Sequence, residues 1–230
     1  MTTAAPEQIT DATGEPEPLL LLASSSPARR ATLQSAGIAH TTRPVDLDES
    51  AVLAAALAGA DLEPAEQVLV LARAKAEAAT RRSDGGYVVL GADSMLEIDG
   101  EIVGKPLTAA TARERWQAMR GRAGVLHTGH WLVDDRDPDD GGTGATLGAT
   151  ASCRVSFADL TDEEIDAYIA TGEPLQVAGG FTIDGRGGPF ITALEGDPHA
   201  VVGLSLPLLR DLLAELKITV YELWEEPDSR

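Results

Sequence analysis

The sequence predicts an α/β fold with a mixed sheet and a cleft between two lobes. Three observations lead there. Short, continuously apolar runs end in turn chemistry, as buried strands do. Segments with apolar residues at helical spacing lie between those runs. Asp99–Gly100, set between LEI and EIV, is a strong two-residue hairpin signal, so an antiparallel pair joins the strand–helix alternation. With 230 residues, 43% of them hydrophobic and 24% charged, the chain suits one large α/β domain or two closely joined lobes.

Residues 1–17 are polar and proline-rich, cannot bury enough surface to offset ordering entropy, and are expected to be a disordered extension without a secretory signal. Residues 18–222 form the expected domain and 223–230 a tail. Leu19–Ala23 is a buried strand bounded by turn residues. Ser26 suits a helix N-cap, Pro27 the first helical position and Gly37 the residue just past the end. A second helix spans Pro64 to Arg82, with Val68, Leu71 and Ala72 on its apolar face. Tyr87–Leu90 is a strand ending at Gly91–Ala92–Asp93, followed by the hairpin. Thr108 to Met119 is a third helix and Gly124–Val133 a strand. Residues 134–148, acidic and glycine-rich, form a mobile hairpin tip. A strand around Ser152–Phe157 precedes a helix capped by Thr161 and Glu164 and ending at Gly172. The glycine-rich segment 178–190 lets backbone approach a ligand closely. Leu208, Leu209, Leu212, Leu213 and Leu216 stripe a last amphipathic helix.

Composition excludes several classes of function. A formal net charge of −19 opposes nucleic acid and anionic membrane. Aromatic content of 4% leaves few platforms for stacking bases. No apolar stretch approaches the roughly 20 residues of a membrane span. The single cysteine, Cys153, excludes an intrachain disulfide and reads as a small buried strand residue. His127 and His130, three apart in a strand, point to opposite faces and make a poor metal pair.

Candidate chemistry begins at ASSSPARR, residues 23–30. Serine hydroxyls and free backbone N–H groups meet at a helix N-terminus, a natural seat for phosphate. Arg29 and Arg30 add donors there, although cations oppose the helix dipole; a bound anion relieves that conflict. Lys75 is the next position on the apolar face of the second helix, where it either snorkels to water or faces a cleft. Continuing the hairpin ladder regularly sets Ser94 opposite Lys105, which makes Asp93 and Lys105 near neighbours, as a catalytic pair or a structural ion pair. Glu49 alone reads as a solvated loop acid.

Together and in order, ASSSPARR, GADS, GEIVGKP, TDEEIDAYIATGEP and AGGFTIDGRGG resemble the Maf family of septum-formation-inhibitor-like nucleoside triphosphate pyrophosphatases. The likeness runs from Leu19 to about Ile218. It implies a fold similar to inosine triphosphatases, an elongated twisted mixed sheet with flanking helices and two lobes around a deep cleft. It also implies a cytoplasmic homodimer that cleaves a nucleoside triphosphate to monophosphate and pyrophosphate with a divalent cation, Mg²⁺, Mn²⁺ or Co²⁺. The family's phosphate-binding serine falls on Ser24, beside Ser26, and its arginine on Arg29. Its acidic residue falls on Glu49 and its helix lysine on Lys75. Its key carboxylate falls on Asp93 and the GKP lysine on Lys105. The resemblance thus makes Glu49 and Asp93 metal ligands, and Asp93, Lys105 and Lys75 catalytic, in a pocket of concentrated positive potential. The specificity positions depart from the usual residues, with Ala28 for arginine, Ser94 for threonine and Asp184 for glutamine or glutamate. No base preference is therefore assigned. A nucleotide-binding regulator of septum formation is the alternative to an enzyme. A nucleotidyl transferase lacks any second acceptor motif.

Overall fold

The computed structural model describes residues 17–225; the expected extension before residue 17 and the tail after residue 225 lie outside the described residues. The first half runs β1 (Leu20–Leu22), α1 (Pro27–Ser35), β2 (His40–Thr42), α2 (Glu49–Leu57), α3 (Pro64–Thr80), β3 (Val88–Ile98) and β4 (Glu101–Val103). Then follow α4 (Ala109–Met119), β5 (Ala123–Asp134), β6 (Thr146–Phe157), α5 (Asp162–Ala170), β7 (Ile191–Gly196), α6 (Pro198–Val202) and α7 (Leu206–Glu215). Seven strands make one sheet in the order β2-β1-β3-β5-β6-β7, with β4 added on β3. β1 is parallel to β2 and β3, while β3, β5, β6 and β7 pair antiparallel. The mixed α/β class with flanking helices is the one the sequence predicts.

The long strands β3, β5 and β6 form a ribbon with a separate core toward each end. One core joins Leu20, Leu22 and Leu90 to Leu33 of α1 and to the α7 leucines Leu209, Leu212 and Leu213. The other surrounds the fully buried Trp116 of α4 with Phe157, Ile165, Tyr168 and Phe181. Trp116 meets Phe157 and Tyr168 edge-on at 5.7 and 5.6 Å, and its indole N–H donates to the Gly180 carbonyl. The two lobes are built around these two clusters on one continuous ribbon, and two smaller clusters pack α3 onto the sheet.

Several local expectations change. The strand read at Tyr87–Leu90 does not end at Gly91: β3 continues to Ile98, because β5 pairs with it residue by residue, Gly91 with Trp131 and Asp93 with Gly129. The Asp99–Gly100 turn pairs Ile98 with Glu101, both turn residues having positive φ, but the ladder stops at Leu96–Val103. Ser94 and Lys105 are thus not ladder partners. Residues 134–148 are the expected hairpin tip, joining antiparallel β5 and β6, and the tip is internally hydrogen-bonded. Asp134, buried, accepts from Arg136 and from the backbone and hydroxyl of Thr143, a short 3₁₀ turn follows at Pro138–Asp140, and β6 starts at Thr146. The packed chain also continues past residue 222, since Leu223 is buried and Trp224 bridges Ile38. β2, α2, β7 and α6 carry no strong sequence signal.

Candidate active site

A gap in the sheet creates the site. β1 reaches only Leu90 on one edge of β3, and β4 joins the same edge from Leu96 onward. Between them the β3 edge has no strand partner among the described residues. A cleft of about 730 Å³ opens there. It is bounded by the turn after β1 and the start of α1, by Lys75 of α3, by Lys105 after β4, and by residues 181–184. Ligands gather beyond the carboxyl end of a parallel strand at such breaks. All ten sequence candidates, Ser24, Ser26, Ala28, Arg29, Glu49, Lys75, Asp93, Ser94, Lys105 and Asp184, line this one cleft. Arg30 does not: one residue on from Arg29 it lies about 100° around the helix and is exposed.

Two glycines set the depth of Lys75. A Cβ at Gly91 would meet Ala76 N at 2.7 Å, and one at Gly129 would meet Val68 O at 2.6 Å, so α3 lies directly on β3 and β5. Asp93 is two residues beyond Gly91 on the same strand face, with Gly129 as its cross-strand neighbour. That contact delivers Lys75 Nζ to 2.5 Å from Asp93 Oδ1. The same ammonium lies 2.7 Å from Glu49 Oε1. Glu49 is the first residue of α2, whose start is capped by Asp48 accepting from the Ala51 N–H. Lys75 therefore faces the cleft and does not snorkel. Burial pushes the Glu49 carboxyl up, but its hydrogen bond to Lys75 and the charges of Lys75, Lys105 and Arg29 together hold it below the usual range.

Arg29 is fixed on three sides. Its Nε donates to the Gly203 carbonyl at 2.7 Å, Nη1 to Ser24 Oγ at 3.2 Å and Nη2 to Ser94 Oγ at 3.1 Å. Burial pushes the guanidinium down, and the charges of Asp93 and Glu49 oppose that. Counting protons assigns the hydroxyls. Ser24 Oγ accepts from Arg29 and from the Ser26 N–H, which occupies both lone pairs and leaves its O–H for a ligand. Thr128 spends its proton on the Ala200 carbonyl, so Ser94 must donate to Thr128 while accepting from Arg29. Ser94 thus has no proton left for a base; in this arrangement it orients Arg29.

The Maf-like protein family model matches residues 19–216. The chain belongs to the Maf family. A relative from Leifsonia xyli subsp. xyli, described as a nucleoside triphosphate pyrophosphatase, is 56% identical over 209 residues, 89% of this chain and 96% of that one. Relatives with the same description from Salinispora tropica and Streptomyces coelicolor are 52% and 48% identical, covering 91% and 92% of this chain and 89% and 97% of theirs. Among solved structures, the Staphylococcus aureus Ham1 protein aligns over 89% of this chain and 93% of its own at 14% identity, with a TM-score of 0.39, too low to argue from.

The charge pattern of this Maf cleft differs from the expected positive pocket. Arg29, Lys75 and Lys105 are matched by Glu49, Asp93 and Asp184, three cations against three carboxylates. Lys75 already serves two of those carboxylates. A balanced lining cannot by itself neutralise a polyanion. No group of three or more His, Cys, Asp or Glu able to hold a metal occurs among the described residues. Glu49 and Asp93 are nonetheless hard oxygen donors drawn together by the Lys75 ammonium, which meets Oε1 of one and Oδ1 of the other; their second carboxylate oxygens suit a Mg²⁺-like ion bound by one or two carboxylates and completed by phosphate oxygens. No helix among the described residues is long and apolar enough to cross a membrane.

Proposed function

We propose that this chain is a nucleoside triphosphate pyrophosphatase, which hydrolyses the anhydride between the α and β phosphates and releases a nucleoside monophosphate and pyrophosphate. One observation carries the reading: the Lys75 ammonium held between Glu49 and Asp93, in the cleft that also receives the start of α1. The descriptions of relatives about half identical in sequence agree with it.

In this mechanism Ser24 donates its free O–H to a phosphate oxygen, and the α1 N-terminus and Arg29 bind the β and γ phosphates. Lys105, which makes no ion pair among the described residues, reaches the same oxygens. Water attacks the α phosphorus, Asp93 takes its proton, and the bond from that phosphorus to the bridging oxygen breaks, leaving the electron pair on pyrophosphate. Lys75 holds Asp93 and Glu49 in place. Glu49 and Asp93 would hold a divalent cation, which would supply the positive charge that the balanced lining lacks. The apolar side of the cleft, with Val177, Phe181 and Ile183, receives the nucleoside, and Ala28 and Asp184 meet its edge. A cytoplasmic homodimer acting on a soluble nucleotide belongs to the same reading, and sedimentation measures its stoichiometry.

Hydrolysis in ¹⁸O-water tests the chemistry. The reading predicts one label in the monophosphate and none in pyrophosphate. Label in pyrophosphate would place the attack on the β phosphorus, and release of orthophosphate as first product would reject the activity. Nucleotide binding without turnover would favour the regulator.

A further inference from the structure

Glu173 lies outside the cleft and yet gathers four hydrogen bonds. Its Oε1 accepts from Tyr168 OH at 3.0 Å, Thr182 Oγ1 at 2.6 Å and the Gly187 N–H at 3.0 Å, and its Oε2 accepts from the Arg186 N–H at 3.0 Å. Three of these donors belong to the segment that supplies Thr182, Ile183 and Asp184 to the cleft wall. The glycines around it make the wrapping feasible. A Cβ at Gly185 would meet Glu173 Oε2 at 2.8 Å, and one at Gly187 would meet Tyr168 OH at 2.6 Å. Tyr168 is itself fixed in the second lobe's core, edge-on to Trp116. Burial pushes the Glu173 carboxyl up, but the hydrogen bonds from Thr182, Arg186, Gly187 and Tyr168 hold it below the ordinary range, so it is an ionised acceptor. A charged acceptor with four donors binds more strongly than neutral turn contacts.

We propose that Glu173 is a positioning residue for the nucleoside end of the cleft, anchoring residues 182–187 to the second lobe's core so that the 181–184 wall is ordered before substrate arrives. The inference rests on the pyrophosphatase reading for the identity of the substrate. A pre-ordered wall lowers the ordering cost of binding. Among the described residues the Glu173 side chain makes no hydrogen bond to α1, α3 or β3, which build the phosphate end. The two ends of the substrate therefore respond differently when it is changed.

Glu173→Gln keeps the shape but places an amide NH₂ against at least one of the four donors. The expected result is a KM for nucleoside triphosphate raised about tenfold, with kcat within about threefold. Inhibition by inorganic tripolyphosphate, which probes the phosphate end alone, should stay within about twofold of wild type. Unchanged KM overturns the proposal, as does a KM increase matched by equal loss of tripolyphosphate inhibition, since that marks general damage. Should Glu173→Gln not fold, Tyr168→Phe removes one donor, keeps the ring in the core, and should raise KM about threefold with the same split; a wild-type KM there overturns the proposal too. If the wild type releases no pyrophosphate, the pyrophosphatase reading fails. Calorimetric nucleotide affinity of wild type and Glu173→Gln then decides Glu173: a difference supports it, and equal affinity or no binding rejects it.

Discussion

Replacing Lys75 with methionine keeps the aliphatic stem and removes the charge between Asp93 and Glu49. The Lys75 and Asp93 side chains are 12% and 11% exposed, so that contact is largely desolvated, whereas Glu49 is 43% exposed and its contact is screened. Removing one partner of a buried pair costs about 3–5 kcal/mol, and an exposed pair adds at most about 1. Because the cleft is open, water reaches the stranded carboxylates, and the lower end applies: about 3 kcal/mol, a melting shift of roughly 6–12 °C for a chain of this size. Adding Asp93→Asn removes one of the stranded charges, so the double variant should recover part of the loss, with a coupling energy of about 1–3 kcal/mol. Mg²⁺ should raise the Tm of Lys75→Met more than that of wild type, because the ion takes the ammonium's place between two acids. Thermal melts of the four proteins, with and without Mg²⁺, give all three quantities. Additivity within about 0.5 kcal/mol would refute a shared cluster.

Gly91→Ala would force a Cβ into the α3 backbone at Ala72 and Ala76. It should lift Lys75 from Asp93 and lower pyrophosphate release at least about a hundredfold while touching no ligand, a loss read by kcat and accompanied by a lower Tm. Lys105→Ala should cost on the order of a hundredfold in kcat/KM with little change in Tm, because its ammonium is exposed in the cleft. His130 gives a pH test. Burial first and the Arg29 charge second push its imidazole from 6.5 to about 4, outweighing the Thr128 carbonyl and Asp197. Its Nε2 accepts from the Ser205 N–H at 2.8 Å and so must be unprotonated. The unfolded chain therefore binds the extra proton between those values: stability is full above pH 6.5 and falls toward pH 4 by on the order of 3 kcal/mol. Denaturant midpoints at pH 7, 5.5 and 4 measure this, and His130→Gln should flatten the trend.

Local chemistry was legible where a residue's own backbone enforces it. Ser26 caps α1, Asp99 and Gly100 take the positive φ of their turn, and Thr161 and Glu164 form the capping box of α5. Lys75 was legible as the next residue on a buried face, though its direction was not, because that depends on Gly91 and Gly129 admitting α3 to the sheet. Glu49 looked like a loop acid because the alanine-rich α2 has no buried face to create a helical pattern. The Ser94–Lys105 register failed because β4 is only three residues long. The positive pocket failed for a different reason. The family motifs name three cations and three carboxylates alike; what they leave out is that Lys75 sits between Glu49 and Asp93, so that its charge is already spent within the cleft. Glu173 was hidden inside a helix-ending motif, since its donors arrive from residues 182–187 and no periodicity links them.

The most direct measurement is made on Asp93→Asn. Pyrophosphate release and nucleotide affinity, determined on the same preparation with Mg²⁺ present, separate chemistry from binding. Release should fall to background while affinity stays within about tenfold of wild type, because Ser24, Arg29 and Lys105 still hold the phosphates. Turnover at the wild-type rate would remove the carboxylate from the reaction and contradict the account.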